Sequence, residues 1–264
     1  MPPDPLRTVT VTRYVLPLRE GGSLPAIVEG DDDGQYVLKF RGAGQGPKAL
    51  LAELVAGQIA RRLGLPVPEI VLAELDPALA DTEPDPEIQD LVRASGGTNV
   101  ALDFLPGAFA YDPAVHPVEG ELASATVWFD ALVSNLDRTR RNTNLLVWHR
   151  RLHLIDHGAA LYFHHSPAPF VPRAREPFKL VGDHVLLPRA DRIAALDATL
   201  AARLDARFLA GLLAQVPDAW LADDPDDAAA AADARAAYRQ YFTDRLQAPR
   251  AFALDAAQAH DRLA

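Results

Sequence analysis

Residues 135–144 read NLDRTRRNTN and run directly into the apolar stretch LLVW at 145–148. One acid, three arginines and three asparagines share those ten positions. The stretch is too polar for a core segment and too poor in Gly and Pro for a plain turn. Before it, ELASATVWFDALVSNL (121–136) is apolar almost throughout and predicts a buried helix. After it, NLLVWH (144–149) and RLHLIDHG (151–158) read as two short strands around Arg150, with Asp156 ending the second. The bland alternative for Asp137 and Asn142 is a polar loop that caps a helix end and begins a strand.

Further upstream the chain reads mostly as strands. TVTVTRYVLPL (8–18) alternates, and LPAIVEG (24–30) and QYVLKF (35–40) flank the acidic turn DDDG, a hairpin signal. RGAGQG then leads into a helix over 47–64, with Pro47 in its first turn, Gly64 at its end, and Leu51, Val55, Ile59 and Leu63 on one stripe. Glu53 lies off that stripe. VPEIVLAEL (67–75) and TNVALDFLPG (98–107) return to strand, and from 188 onward the texture is Ala- and Leu-rich and helical. We therefore expect an α+β protein of two lobes: residues 1–105, an antiparallel sheet with one prominent helix, and 106–264, mostly helical.

Composition narrows the function. The 264 residues carry a net charge of −10, which argues against a general affinity for nucleic acid or anionic lipid. No cysteine is present, which excludes disulfides, thiolate zinc sites and cysteine nucleophiles. Neither a secretory h-region nor an apolar run of the ~20 residues that span a bilayer is found, so a cytoplasmic protein is expected. G-x-S-x-G, the P-loop and the strand-G-x-G-x-x-G-helix unit are all missing.

Four features then line up in chain order: Lys39 at the end of a strand, Glu53 in the next helix, Asp137 with Asn142 five residues later, and Asp156 after a strand. Phosphoryl transfer from a nucleotide uses this set. A lysine neutralises phosphates and a helix carboxylate holds it. One carboxylate serves the attacking hydroxyl, while an amide oxygen and a second carboxylate hold the metal. Oxygen ligands suit Mg²⁺.

The ordered set resembles the protein-kinase-like fold, and its wording is nearest to HipA-like and phosphatidylinositol-kinase-like kinases. NLDRTRRN resembles their N-x-D-R/H-x₃-N loop, HLIDHGAAL their I-D-x-G segment, LAELVAGQIARRLGLPVP a helix-to-strand passage of HipA-like kinases, and ALDFLPGA their hinge. The resemblance covers roughly residues 20–165. It implies an ATP- and Mg²⁺-dependent kinase that transfers the γ-phosphate to a hydroxyl, with a protein serine or threonine as favoured acceptor. Asp137 would be the catalytic base, Lys39 the phosphate-contacting lysine, Glu53 its helix partner, and Asn142 and Asp156 the metal ligands. Asn144, which abuts the strand, is the alternative to Asn142, and His157 would be a spacer. Asp103, Phe104 and Leu105 would form the adenine hinge. Gly21, Gly22 and Ser23 would form the phosphate loop, with RGAGQG as an alternative flap. Arg138, Arg140 or Arg141 would meet the γ-phosphate or an acidic substrate.

Three other readings stand beside this one: a non-catalytic nucleotide-binding scaffold, a lipid or small-molecule kinase, and transfer of AMP. A further competitor is a transition-metal site on His149, His153 and His157, which recur every four residues with His164 and His165 nearby. The strand pattern of LLVWHRRLHLIDHG argues against their convergence, since such a row needs a helix.

Overall fold

A computed structural model describes residues 3–18, 24–44, 46–222, 224 and 226–263, without the side chain of residue 82. Five N-terminal strands close into a barrel: β1 (Thr8–Pro17), β2 (Ala26–Gly30), β3 (Gln35–Lys39), β4 (Ile70–Leu75) and β5 (Gly97–Asp103), in the order β1-β2-β3-β5-β4. Closure comes from β1, whose first residues pair parallel with β4 (Thr8 with Leu72, Thr10 with Glu74) while the rest pairs antiparallel with β2. This corrects the expected all-antiparallel sheet. Two register shifts in β1, after Val11 and after Tyr14, bend the strand between its two neighbours. Alternation reveals a strand but not which partner it takes.

Helix α1 (Pro47–Leu63) connects β3 to β4. Pro47 occupies its first turn, and Gly64 ends it with φ 83°, donating its N–H to the Ala60 and Arg61 carbonyls. Its buried side is wider than one stripe, because α1 packs on the barrel and on the C-terminal helices at once. Leu50, Leu51, Leu54, Val55 and Ile59 are all buried, and so is Glu53. A short helix, α2 (Pro86–Ala94), sends Ile88 and Val92 into the barrel interior beside Val9, Val28, Leu38 and Val71.

The second core runs from α1 through α3 (Gly120–Leu132) to the helices α4 (Ile193–Ala202), α5 (Ala206–Leu213), α6 (Ala228–Arg245) and α7 (Ala251–Asp261). This core is continuous from α1 into the C-terminal helices. A small sheet of β6 (Phe109–Ala110), β7 (Leu145–Trp148) and β8 (Arg151–Leu154) lies beside α3 in the chain path. The β7–β8 turn is His149-Arg150, both at positive φ, and Trp148 pairs with Arg151. The turn therefore takes in His149 as well as the expected Arg150. Among the described residues, no helix is long and apolar enough to cross a membrane.

Candidate functional site

Lys39, at the end of β3, reaches Asp156 at the end of the β8 passage, with Nζ 2.8 Å from Oδ1. Asp156 has φ 54°, a left-handed conformation that is uncommon for a residue with a side chain and is concentrated at functional sites. Burial alone would lower the Lys39 pKa, but Asp156, Glu53 and Asp137 together hold it above its ordinary value. The lysine therefore stays charged, and three carboxylates lie within its field.

Glu53 is buried and bonds to the residue after Asp156. Its Oε2 accepts the His157 backbone N–H at 2.9 Å, and its Oε1 accepts His157 Nδ1 at 3.2 Å. Burial pushes the Glu53 pKa up, but Lys39 and His157 outweigh it and bring it down to about 2. Two expectations change here. Glu53 shares Lys39's electrostatic field, but the hydrogen bond of Lys39 goes to Asp156. His157 is no spacer: it is fully buried and binds the helix carboxylate.

The loop 135–144 is held from beneath. Arg138 is buried and donates from Nε to Asp130 Oδ2 on α3 at 2.6 Å, and its Nη1 donates to the Asn144 carbonyl. Asp130 also accepts from Asn135 Nδ2 at 2.8 Å and meets His184 Nε2 at 2.9 Å. Burial would raise the Asp130 pKa, but Arg138 and His184 hold it far below the usual carboxylate range. Arg138 is thereby excluded from any phosphate or substrate contact, which corrects that expectation; Arg140 and Arg141 are exposed.

Above this network Asp137 Oδ2 accepts Asn142 Nδ2 at 2.9 Å and Asn144 Nδ2 at 3.1 Å. Asn142 is exposed, whereas Asn144 is buried at φ 47° and also donates to the Asp137 carbonyl. Both amides turn their nitrogens to Asp137, which leaves their oxygens for another partner. Asp156, Asn142 and Asn144 thus offer hard oxygen donors near a largely shielded lysine, a set that fits Mg²⁺ bound with phosphates.

Asp103 ends β5, exposed, and Leu105 is buried beyond it. The N–H groups of Asp103 and Phe104 already serve the Glu69 and Gln35 carbonyls at 2.8 and 2.9 Å, so neither is free to read a base. Gly21, Gly22 and Ser23 lie outside the described residues. The start of RGAGQG is anchored rather than loose: Arg41 N–H donates to Asn99 Oδ1 and Gly42 N–H to Ser95 Oγ. His149 sits in the exposed turn and His153 on β8, while His157 faces Glu53, so the three do not converge. No group of three or more His, Asp or Glu able to hold a metal exists among the described residues.

Sequence reading missed Asp130, His184 and Arg245. Asp130 had a signal, a lone acid inside an apolar helix run, which must find a partner if buried. Arg245, buried on α6, donates to the Leu132, Ala131 and Ala174 carbonyls at 2.7, 2.8 and 2.9 Å and so anchors the end of α3 that leads into the loop.

The model of a family described as HipA-like kinase matches residues 11–247. No curated protein matches the chain significantly. Among solved structures, the proinflammatory kinase CtkA of Helicobacter pylori superposes with a TM-score of 0.55 at 13% identity, over 98% of this chain and 100% of that one. A Golgi casein kinase with Mn/ADP bound gives a TM-score of 0.44 at 11% identity, over 94% and 74%. At such identities the likeness to CtkA is one of fold: a two-lobed kinase fold, β-rich first and helical after.

Proposed function

Because the chain belongs to the HipA-like kinase family, we propose that it is an ATP-dependent phosphotransferase that moves the γ-phosphate to a hydroxyl, with a protein serine or threonine as the favoured acceptor. The observation that carries this reading is the Lys39–Asp156 contact, set beside an Asp137 carboxylate that two asparagines hold in place.

In this reading Lys39 neutralises the nucleotide phosphates, and Asp156 with Glu53 keeps it charged. Asp156 with Asn142 or Asn144 would hold a magnesium ion, which would supply charge neutralisation on the phosphates. Asp137 orients the acceptor hydroxyl and takes its proton as the new O–P bond forms and the bond from γ-phosphorus to ADP breaks. The Asn142 and Asn144 amides keep the Asp137 carboxylate turned toward that hydroxyl. Residues 103–105 line the adenine edge without the Asp103 and Phe104 N–H groups, which are engaged within the barrel. Catalysis rests on positioning and charge more than on covalent chemistry. A net charge of −10 disfavours an anionic lipid surface as the home of the acceptor.

The test follows radiolabel from ATP into casein and histone as generic acceptors, and into the protein itself. Label transferred from the γ position, and lost in Asp137→Asn, is the expected result. Label from the α position would replace phosphorylation by nucleotide transfer. No transfer from either position to any acceptor would overturn the reading.

A further inference from the structure

Next to the 135–144 loop lies a cleft of about 240 Å³, lined by Tyr111, His116, Arg140, Val185 and Arg189 among others. The nucleotide machinery makes no use of it. Two contacts weld its wall to the loop: Val185 N–H donates to the Arg138 carbonyl at 3.1 Å, and Thr139 bridges His184. Arg140 thus reaches the cleft only three positions beyond Asp137.

The cleft holds uncommitted cationic and polar groups. Arg140 and Arg189 are exposed, and among the described residues neither has a carboxylate at ion-pair distance. His116 packs its ring 5.2 Å from that of Phe109 and 6.5 Å from that of Tyr111. Its Nδ1 is shielded from solvent and has no hydrogen-bond partner among the described residues. Asp112, the carboxylate next to Tyr111, is engaged with the Ala114 N–H at 2.8 Å. In a chain with 36 acids and 26 Lys and Arg, two arginines without a carboxylate at ion-pair distance line one cleft beside the Asp137 loop, with Asp112 the acid next to its Tyr111 wall.

Resting on the phosphotransferase reading, we propose that the cleft holds acidic side chains flanking the phosphoacceptor hydroxyl, so that the acceptor is an acidic peptide segment. Planar guanidinium groups match carboxylates in a two-pronged geometry. The exposed rings of Pro113, Pro117 and Pro188 in the lining accommodate the aliphatic stems of glutamates. The volume suits a few side chains of an extended segment and is too small for a folded surface. A nucleic acid or anionic membrane would carry its charge over a much larger area, against the net −10 of the chain.

The experiment is fluorescence anisotropy with three labelled serine peptides, flanked by glutamate, alanine or lysine, on the full chain. The glutamate peptide is expected to bind roughly tenfold more tightly than the alanine peptide, with an advantage that fades as salt rises. Arg140→Glu and Arg189→Glu should each weaken glutamate-peptide binding by about tenfold. The double reversal should prefer the lysine peptide, an inversion that a folding defect would not produce; unchanged circular dichroism controls for the fold. Equal binding of the glutamate and alanine peptides, no binding of any peptide, or indifference to both reversals would overturn the proposal. Binding needs no phosphoryl transfer, so a protein that holds the glutamate peptide through these arginines yet transfers no phosphate refutes the phosphotransferase reading and leaves the cleft assignment standing.

Discussion

Lys39 and Asp156 stand 117 positions apart in the chain, yet their side chains meet at 2.8 Å and join the barrel to the helical lobe. The lysine is largely shielded and the aspartate about a third exposed, so the contact is neither a free surface pair nor a fully desolvated one. Its neighbours are Glu53 and Asp137, both acidic, which makes the lysine the charge that allows three carboxylates to share the region.

Removing that lysine should therefore disturb more than phosphate binding. Lys39→Met is expected to lose detectable phosphotransfer and to lower stability by ~1–3 kcal/mol, since the acids are left facing each other. Denaturant unfolding of wild type and variant, with the midpoint and slope both recorded, measures it.

The buried Asp130–Arg138 pair supports the loop, and losing one partner leaves the other charged and dry. Asp130→Ala and Arg138→Ala should each cost about 3–5 kcal/mol. The double variant should cost less than the sum of the two, because no orphaned charge remains. Strict additivity in a double-mutant cycle would contradict the pairing.

Legibility followed chain distance and context. Strands β1 to β5 and helices α1 and α3 announce themselves through period 2, period 3.6 and turn residues, all local properties. Lys39, Asp137, Asn142 and Asp156 stood out as polar residues at the ends of apolar runs. What was hidden depends on partners far away in the chain. Glu53 sits off an apolar stripe and reads as solvated until α1 is seen packed on two sides. Arg138 looks like one of three loop arginines until Asp130 and His184 are placed around it. The parallel β1–β4 pairing and the service of Arg245 to the α3 carbonyls likewise arise only when distant segments meet.

The two asparagines on Asp137 should behave differently. Asn142 is exposed, so Asn142→Ala should leave stability within about 0.5 kcal/mol of wild type. Asn144 is buried at φ 47°, so Asn144→Ala should lose roughly 1–2 kcal/mol to backbone strain and lost hydrogen bonds. Asn144→Gly should recover the backbone share only. Thermal unfolding of the three variants separates the contributions.

Acid should weaken the protein in two stages. Burial, His165 and Lys48 hold the His164 pKa down to about 3, against 6.5 in an unfolded chain. The unfolded chain thus takes up a proton first, and stability falls as pH drops from about 6.5 toward about 3. Glu53 is held at about 2 against 4.5, so its contribution is full above 4.5 and is lost between 4.5 and about 2. His164→Asn should flatten the upper stage, and Glu53→Gln the lower one. Chemical denaturation repeated across pH 7 to 3 reads the upper stage and the start of the lower.

The most direct test of the nucleotide site is thermal stabilisation by ATP, with and without Mg²⁺, for wild type and Asp156→Ala. ATP at about 100 times its Kd should add ~2.7 kcal/mol to native-state stability. The account predicts a shift in wild type that requires Mg²⁺ and vanishes in Asp156→Ala. No shift in wild type at millimolar ATP with Mg²⁺, or an equal shift in the variant, would contradict it.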